Sequence, residues 1–160
     1  MGGYMIAAER TYDKVLIKSI IFNQAIWECI AEDGQEKADF DPDVESECWL
    51  VMRLDEIPIA LYNIHALNSV TAQIHAHVLP AYRKEHSKET GALVLRYILE
   101  NTDYQKIVAV IPVIYENVKK FTMSFGFVEE GINRKSIMKG GELLDQWMLG
   151  ATRSEIEWVR

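Results

Sequence analysis

Apolar and polar positions along this chain change their spacing several times, and each change predicts an element. A short apolar run at residues 5–8 reads as a first strand. Asp13 has the side chain of a helix N-cap, and Leu16, Ile20, Ile21, Ala25, Trp27 and Ile30 then recur at roughly helical spacing. That spacing predicts one helix over 14–31, stopped by Asp33-Gly34. Residues 35–47 are polar and acidic, with Asp41-Pro42 inside, and read as a loop: either a solvated connector or a segment ordering over a substrate entrance. Two strands, 49–54 and 57–64, flank a turn at Asp55-Glu56, and a second turn follows at 66–69. Residues 72–79 alternate, with Ile74, Ala76 and Val78 on one face and Gln73, His75, His77 and Leu79 on the other. A helix over 90–100 carries Ala92, Leu93, Leu95 and Leu99. The almost wholly apolar stretch 106–113 predicts a strand buried on both faces. A last helix over 116–125 ends where Gly126 stops it, and strands 132–138 and 143–149 form a ribbon around Gly140-Gly141. The order β-α-β-β-β-α-β-α-β-β predicts a mixed α/β fold in a single domain, 1–160, without internal repeats.

Composition narrows the class. The chain has 160 residues, 49% hydrophobic and 26% charged, as one globular domain with a sizeable core requires. A net charge of -7 argues against a general nucleic-acid binder and suits a basic peptide or an amine. No run has the length and apolarity of a membrane span, and the N-terminal stretch lacks the basic-then-apolar order of a signal peptide. Cys29 and Cys48 carry no metal spacing, so a reduced, cytoplasmic setting is expected. There is no Walker loop and no Gly-x-Ser-x-Gly elbow, and the aromatic residues are not interleaved with basic ones.

The stretch 124–149 carries a more specific pattern. A Gly126-Phe127 pair follows a helix, Glu130-Gly131 turns the chain, Arg134 comes next, and Gly141 and Asp145 precede an apolar strand. This layout resembles the C-terminal part of GNAT acyltransferases, most of all the branch that acetylates protein N-termini, including those of ribosomal proteins. The predicted element order resembles that fold over nearly the whole chain. The resemblance implies a mostly antiparallel central sheet flanked by helices, and acetyl-CoA as cofactor. The acceptor would be an amine: a protein N-terminus, a lysine or a small molecule.

Site residues follow from the resemblance by position. The pantetheine arm would lie along the fourth strand at Val78 and Leu79, with an amide near Val78 as oxyanion donor. The family's Gln/Arg-x-x-Gly-x-Gly/Ala phosphate pattern begins at Arg83, but His86 and Lys88 occupy its two small-residue positions. Either Lys84, His86 and Lys88 hold phosphate through their side chains, or the loop has lost the cofactor and is a charged helix start. Asn117 would contact the cofactor and serve the chemistry, and Tyr115 would be the general acid, since Thr122 stands where the family's Tyr falls. Tyr115 and Asn117 are equally readable as a strand end and a helix entry. Gln73 occupies the position of the branch's usual Glu base and cannot take a proton, which leaves His75, with His77 on the same face. His75 and His77 could also be two ligands of a metal, but only His65 and His86 remain to complete the set, so no metal is expected. The glycine-poor loop also resembles GNAT-like phage and prophage morphogenesis proteins. The alternative is therefore a non-catalytic assembly or binding module of a virion, with the final ribbon available to pair two copies.

Overall fold

The computed structural model describes residues 3–160, so Met1 and Gly2, the start of the expected 1–160 domain, lie outside the described residues. Seven strands form one sheet in the order β1-β2-β3-β4-β5-β7-β6. They are β1 (Ile6–Arg10), β2 (Cys48–Leu54), β3 (Ile57–Ala66), β4 (Thr71–Val78), β5 (Lys106–Pro112), β6 (Val128–Lys139) and β7 (Glu142–Thr152). Every neighbouring pair is antiparallel except β4–β5. The helices are α1 (Lys14–Ile21), α2 (Gln24–Ile30), α3 (Arg83–Asn101) and α4 (Glu116–Met123), with a C-terminal 3-10 segment at Arg153–Val159.

The expected helix over 14–31 is two helices. Asp13 caps the first, its carboxylate accepting from the amides of Val15 and Leu16. Asn23 caps the second, its side-chain oxygen accepting from Ala25 and Ile26. Apolar spacing alone cannot show this break, because the chain turns at Phe22 and still delivers Ile17, Ile20, Ile21 and Ile26 to one core. That core packs against Trp49, Val51 and Leu61 on one face of the sheet. Phe40 joins it at the edge, in contact with the rings of Phe22, Trp27 and Trp49. The acidic stretch 35–47 is therefore a tethered loop: most of its carboxylates face water, while Phe40, Pro42 and Val44 anchor it and Glu47 accepts from the Asn63 side chain.

The other face carries the larger core. α3 lays Val94, Leu95, Ile98 and Leu99 on Leu50, Met52, Tyr62 and Ile107, and Ile156 and Val159 of the C-terminal segment close it. α3 begins at Arg83, seven residues earlier than the expected start at Thr90, because its opening turns are polar and carry no apolar period to mark them. Strand β5 is not buried on both faces: Ile107, Ala109 and Ile111 are buried, whereas Val108, Val110 and Pro112 are partly open. Val110 and Pro112 line a cavity instead of being packed over, so apolarity marked the strand correctly and its cover wrongly.

The expected left-handed glycine is found. Gly126 has φ +103°, and a Cβ there would sit 2.9 Å from the Glu155 carbonyl oxygen. It lets the chain leave α4 and drop Phe127, 5% exposed, into the core. Replacing Gly126 with Val should cost about 1–3 kcal/mol in backbone strain. Truncating Phe127 to Ala should cost about 3–5 kcal/mol. Chemical denaturation of the two variants checks both values, and a Phe127→Ala protein as stable as wild type would show that the ribbon is not packed on the core.

Candidate active site

The parallel pair β4–β5 joins only Thr71 to Lys106, Ala72 to Ile107 and Gln73 to Val108. Beyond Gln73, β4 follows β3 and β5 follows β7, so the sheet opens between them. The direction of the freed backbone groups is fixed by alternation along the strand. The Leu79 amide donates to the Ile59 carbonyl, which places odd-numbered amides of β4 toward β3. Those of Ile74, Ala76 and Val78 then face the gap. The Val78 carbonyl is on the same side and accepts from Arg83 Nε at 2.9 Å.

A cavity of about 690 Å³ occupies this gap and reaches both faces of the sheet. On the α3 face its wall is Arg83, Ser87, Gly91, Val94 and Leu95, successive turns of one helix. On the other face it is met by Cys29, Ile30, Glu32 and Gln35 from α2 and its exit. Asn117, Val118 and Thr122 of α4, with Tyr115 just before it and Ser136 and Ile137 of β6, complete it. Among the described residues that line it, Arg83 and Glu32 are the only ones with a full formal charge. They enter from opposite faces, so the space has a cationic end and an anionic end.

The cavity gathers some of the residues expected from sequence and leaves others aside. His75, Val78, Arg83, Tyr115 and Asn117 line it together. Leu79, Lys84, His86 and Lys88 do not. Leu79 packs on the α1–α2 core, and Lys84 and Lys88 stand in solvent. His86 is buried against Tyr4 and Tyr82, with ring centroids 5.2 and 6.3 Å away. The side chains at the two small-residue positions therefore turn away from the cavity. Their bulk does not fill the space in front of α3, and their charges do not line it. The start of α3 has no side-chain cap; the helix continues from a 3-10 turn at Pro80–Tyr82, and the Arg83 amide donates to the Pro80 carbonyl. The Arg83 side chain and the gap-facing amides of β4 fit the anionic and amide groups of a CoA molecule.

The histidines of β4 are neutral. Burial, and after it the neighbouring His65, push His75 down to about 4. His77, only 7% exposed, is pushed down to about 3 by burial and then by His75. The rings of His65, His75 and His77 stack in a row with centroids 5.3 and 6.5 Å apart, which is parallel packing and not convergence on a common point. No group of three or more metal-ligating side chains converges among the described residues. Burial first, and then Cys29 and Glu28, raise the Tyr115 hydroxyl above its usual 10. It therefore stays protonated at working pH.

Cys29, Glu32, Gln35 and Ser87 are cavity residues that the sequence did not single out as site residues. Ser87 lies one turn after Arg83 and would have been found had the helix been started at Arg83. Cys29 and Glu32 depend on the break between α1 and α2, which only Asn23 betrays.

The sheet order, the parted parallel pair and the cavity through it define a GNAT fold, the acyl-CoA N-acyltransferase architecture. Solved structures of the same fold include spermidine N-acetyltransferase from Vibrio cholerae in complex with CoA and spermine, with a TM-score of 0.77 and 16% identity over 96% of this chain and 97% of that one. A dodecameric form of that enzyme in an intermediate state matches with a TM-score of 0.77 and 14% identity, over 95% of this chain and 96% of that one. No protein-family model matches the sequence, and no curated protein matches it either. The structural likeness therefore carries the fold.

Two imidazoles held neutral have a consequence for stability. Their folded values lie below the ordinary 6.5, so the unfolded chain binds their protons first as pH falls. Stability that is complete above pH 6.5 should decline from there toward pH 3–4. His77→Gln should flatten that decline when denaturant midpoints are compared between pH 7 and pH 4.5. An unchanged slope would mean that His77 titrates normally in the folded protein.

Proposed function

We propose that residues 1–160 act as one GNAT-like domain that transfers an acyl group from acyl-CoA to an amine in the cytoplasm. The observation that carries this reading is the cavity through the parted strands, with free β4 amides on its wall and opposite charges at its two ends. Arg83, the start of α3 and Ser87 would hold the pyrophosphate end of CoA, and the gap-facing edge of β4 would hold its pantetheine arm. When bound, CoA would supply an acyl thioester, an electrophilic carbon beside these donors. The amides of Ala76 and Val78 are then placed to donate to a carbonyl oxygen as negative charge grows on it. The acceptor would enter from the α2 face, where Glu32 draws a cationic amine.

His75, neutral at working pH, can take a proton from the amine, although its low affinity for that proton makes it a weak base. Tyr115 keeps its proton and can give it to a departing thiolate, and Asn117 at the entry of α4 would orient both. The acceptor class follows from the shape and charge of the α2 end: a flexible aliphatic amine chain. The Vibrio cholerae enzyme, a spermidine N-acetyltransferase, supports spermidine as the first acceptor to try. A lysine or a protein N-terminus would meet the same carboxylate. Assembly of copies, as in that dodecameric enzyme, would use the edge strand β6, which pairs only with β7 among the described residues.

Isothermal titration with CoA tests the reading directly. Micromolar binding is expected, with affinity lower by roughly tenfold in Arg83→Ala, the size of one lost charge-assisted contact. No binding at millimolar CoA would sink the enzyme reading and leave the virion module. Given turnover with spermidine, Tyr115→Phe should lower kcat with little change in CoA affinity. A fully active Tyr115→Phe protein would move the acid role to water.

A further inference from the structure

The tip of the β6–β7 hairpin is tied to the exit of α2 by a compact set of polar contacts. Lys139 Nζ donates to the carbonyls of Glu28 at 3.0 Å, Cys29 at 3.2 Å and Ala31 at 2.7 Å, the last carbonyls of α2 and its cap. A cation at a helix C-terminus meets both its free acceptors and the negative end of its dipole. The Asp33 carboxylate answers from the other side, accepting from the amides of Gly140 at 2.9 Å and Gly141 at 2.7 Å. Both glycines have positive φ, at 63° and 78°, which aims their N–H groups at one carboxylate. The Asp33 amide donates in turn to the Met138 carbonyl at 3.0 Å. These contacts hold Asp33 below the usual carboxylate range, Gly141 and Gly140 first and Lys139 after them.

The two elements joined in this way are the two walls of the α2 end of the cavity. Cys29, Ile30, Glu32 and Gln35 stand on one side, Ser136 and Ile137 on the other. Tyr115 lies between them, its hydroxyl against Cys29 and its ring 5.9 Å from Lys139 Nζ. No such link joins α3 to the hairpin tip among these hydrogen bonds. We propose that Lys139 and Asp33 are positioning residues that set the width of the acceptor end, and so govern acceptor binding while leaving the CoA end untouched. The inference rests on the acyl-transfer reading for its consequence and on the hydrogen bonds for its geometry. A pair of walls already bridged admits a slender amine chain end and excludes an amine embedded in a folded surface.

Lys139→Met and Asp33→Asn test it, each with far-UV circular dichroism to confirm the fold. Hydrogen exchange at the amides of residues 28–31 should run about tenfold faster in each variant. CoA affinity by titration should match wild type. The KM for spermidine should rise about tenfold, with kcat changed much less, a split that general loosening of the protein would not produce. Wild-type exchange rates in both variants would overturn the proposal, as would a loss of CoA affinity equal to the loss for spermidine. A wild-type protein that binds no CoA would defeat the acyl-transfer reading instead, and the exchange rates would still decide whether the clamp holds the two walls.

Discussion

The structure depends on a contest between strand partners. β4 and β5 are parallel neighbours, and a parallel pair gains its hydrogen bonds only while both strands keep the same direction. β5 is paired with β7 from Lys106 to Pro112, and β4 with β3 from Ala66 opposite Ala72 to Ala60 opposite Val78. Each strand therefore keeps its antiparallel partner, and the parallel pair ends after Gln73 and Val108. The consequence is a row of backbone donors left facing space in the middle of a sheet. Buried amides without partners are costly, so an opening of this kind persists where water or a ligand can satisfy them.

Everything around the opening keeps it from collapsing. The two cores lie on opposite faces and pull the sheet from both sides: α1 and α2 onto Trp49, Val51 and Leu61, and α3 with the C-terminal segment onto Tyr62 and Ile107. α4 is pinned to the ribbon by Lys119, which pairs with Glu129 at 2.8 Å and lies 4.3 Å above the Trp147 ring. Gly91 has no side chain where α3 crosses Phe125; a Cβ there would fall 2.4 Å from the ring. Phe125 in turn stacks on Trp158, whose indole N–H donates to the Phe125 carbonyl. The cavity is thus framed by packed contacts at its far ends and by backbone at its centre. A thioester reaction suits that arrangement, because fixed donors need not reorganise as charge develops.

The electrostatics of the site are set mainly by burial. His75 and His77 would be ordinary titrating imidazoles on an open strand, and here they are neutral because the gap is enclosed. Tyr115 holds its proton for the same reason. With the histidines neutral, Arg83 and Glu32 alone mark the two ends as suited to an anion and to a cation.

The amino-acid sequence by itself determined the elements that rest on local rules. The alternation in 72–79, the Gly140-Gly141 turn, the Asp13 cap and the left-handed Gly126 before Phe127 are all short-range, and each is present as expected. Together with the GF-x-x-EG layout they made the fold legible. Tertiary structure alone decided what depends on a partner distant in the chain. Asn23 splits one apolar period into two helices because both halves must reach the same core. Val110 is partly open because it lines the cavity between the parted strands. His86 stands at a position where a glycine was expected, and its ring turns toward Tyr4, a residue 82 positions away in sequence, so its bulk stays out of the cavity. Lys139 and Asp33 look like solvated charges in the sequence and become a clamp only when the hairpin tip meets the end of α2. Periodicity reports which side of an element is buried; it carries no information on what that side will meet.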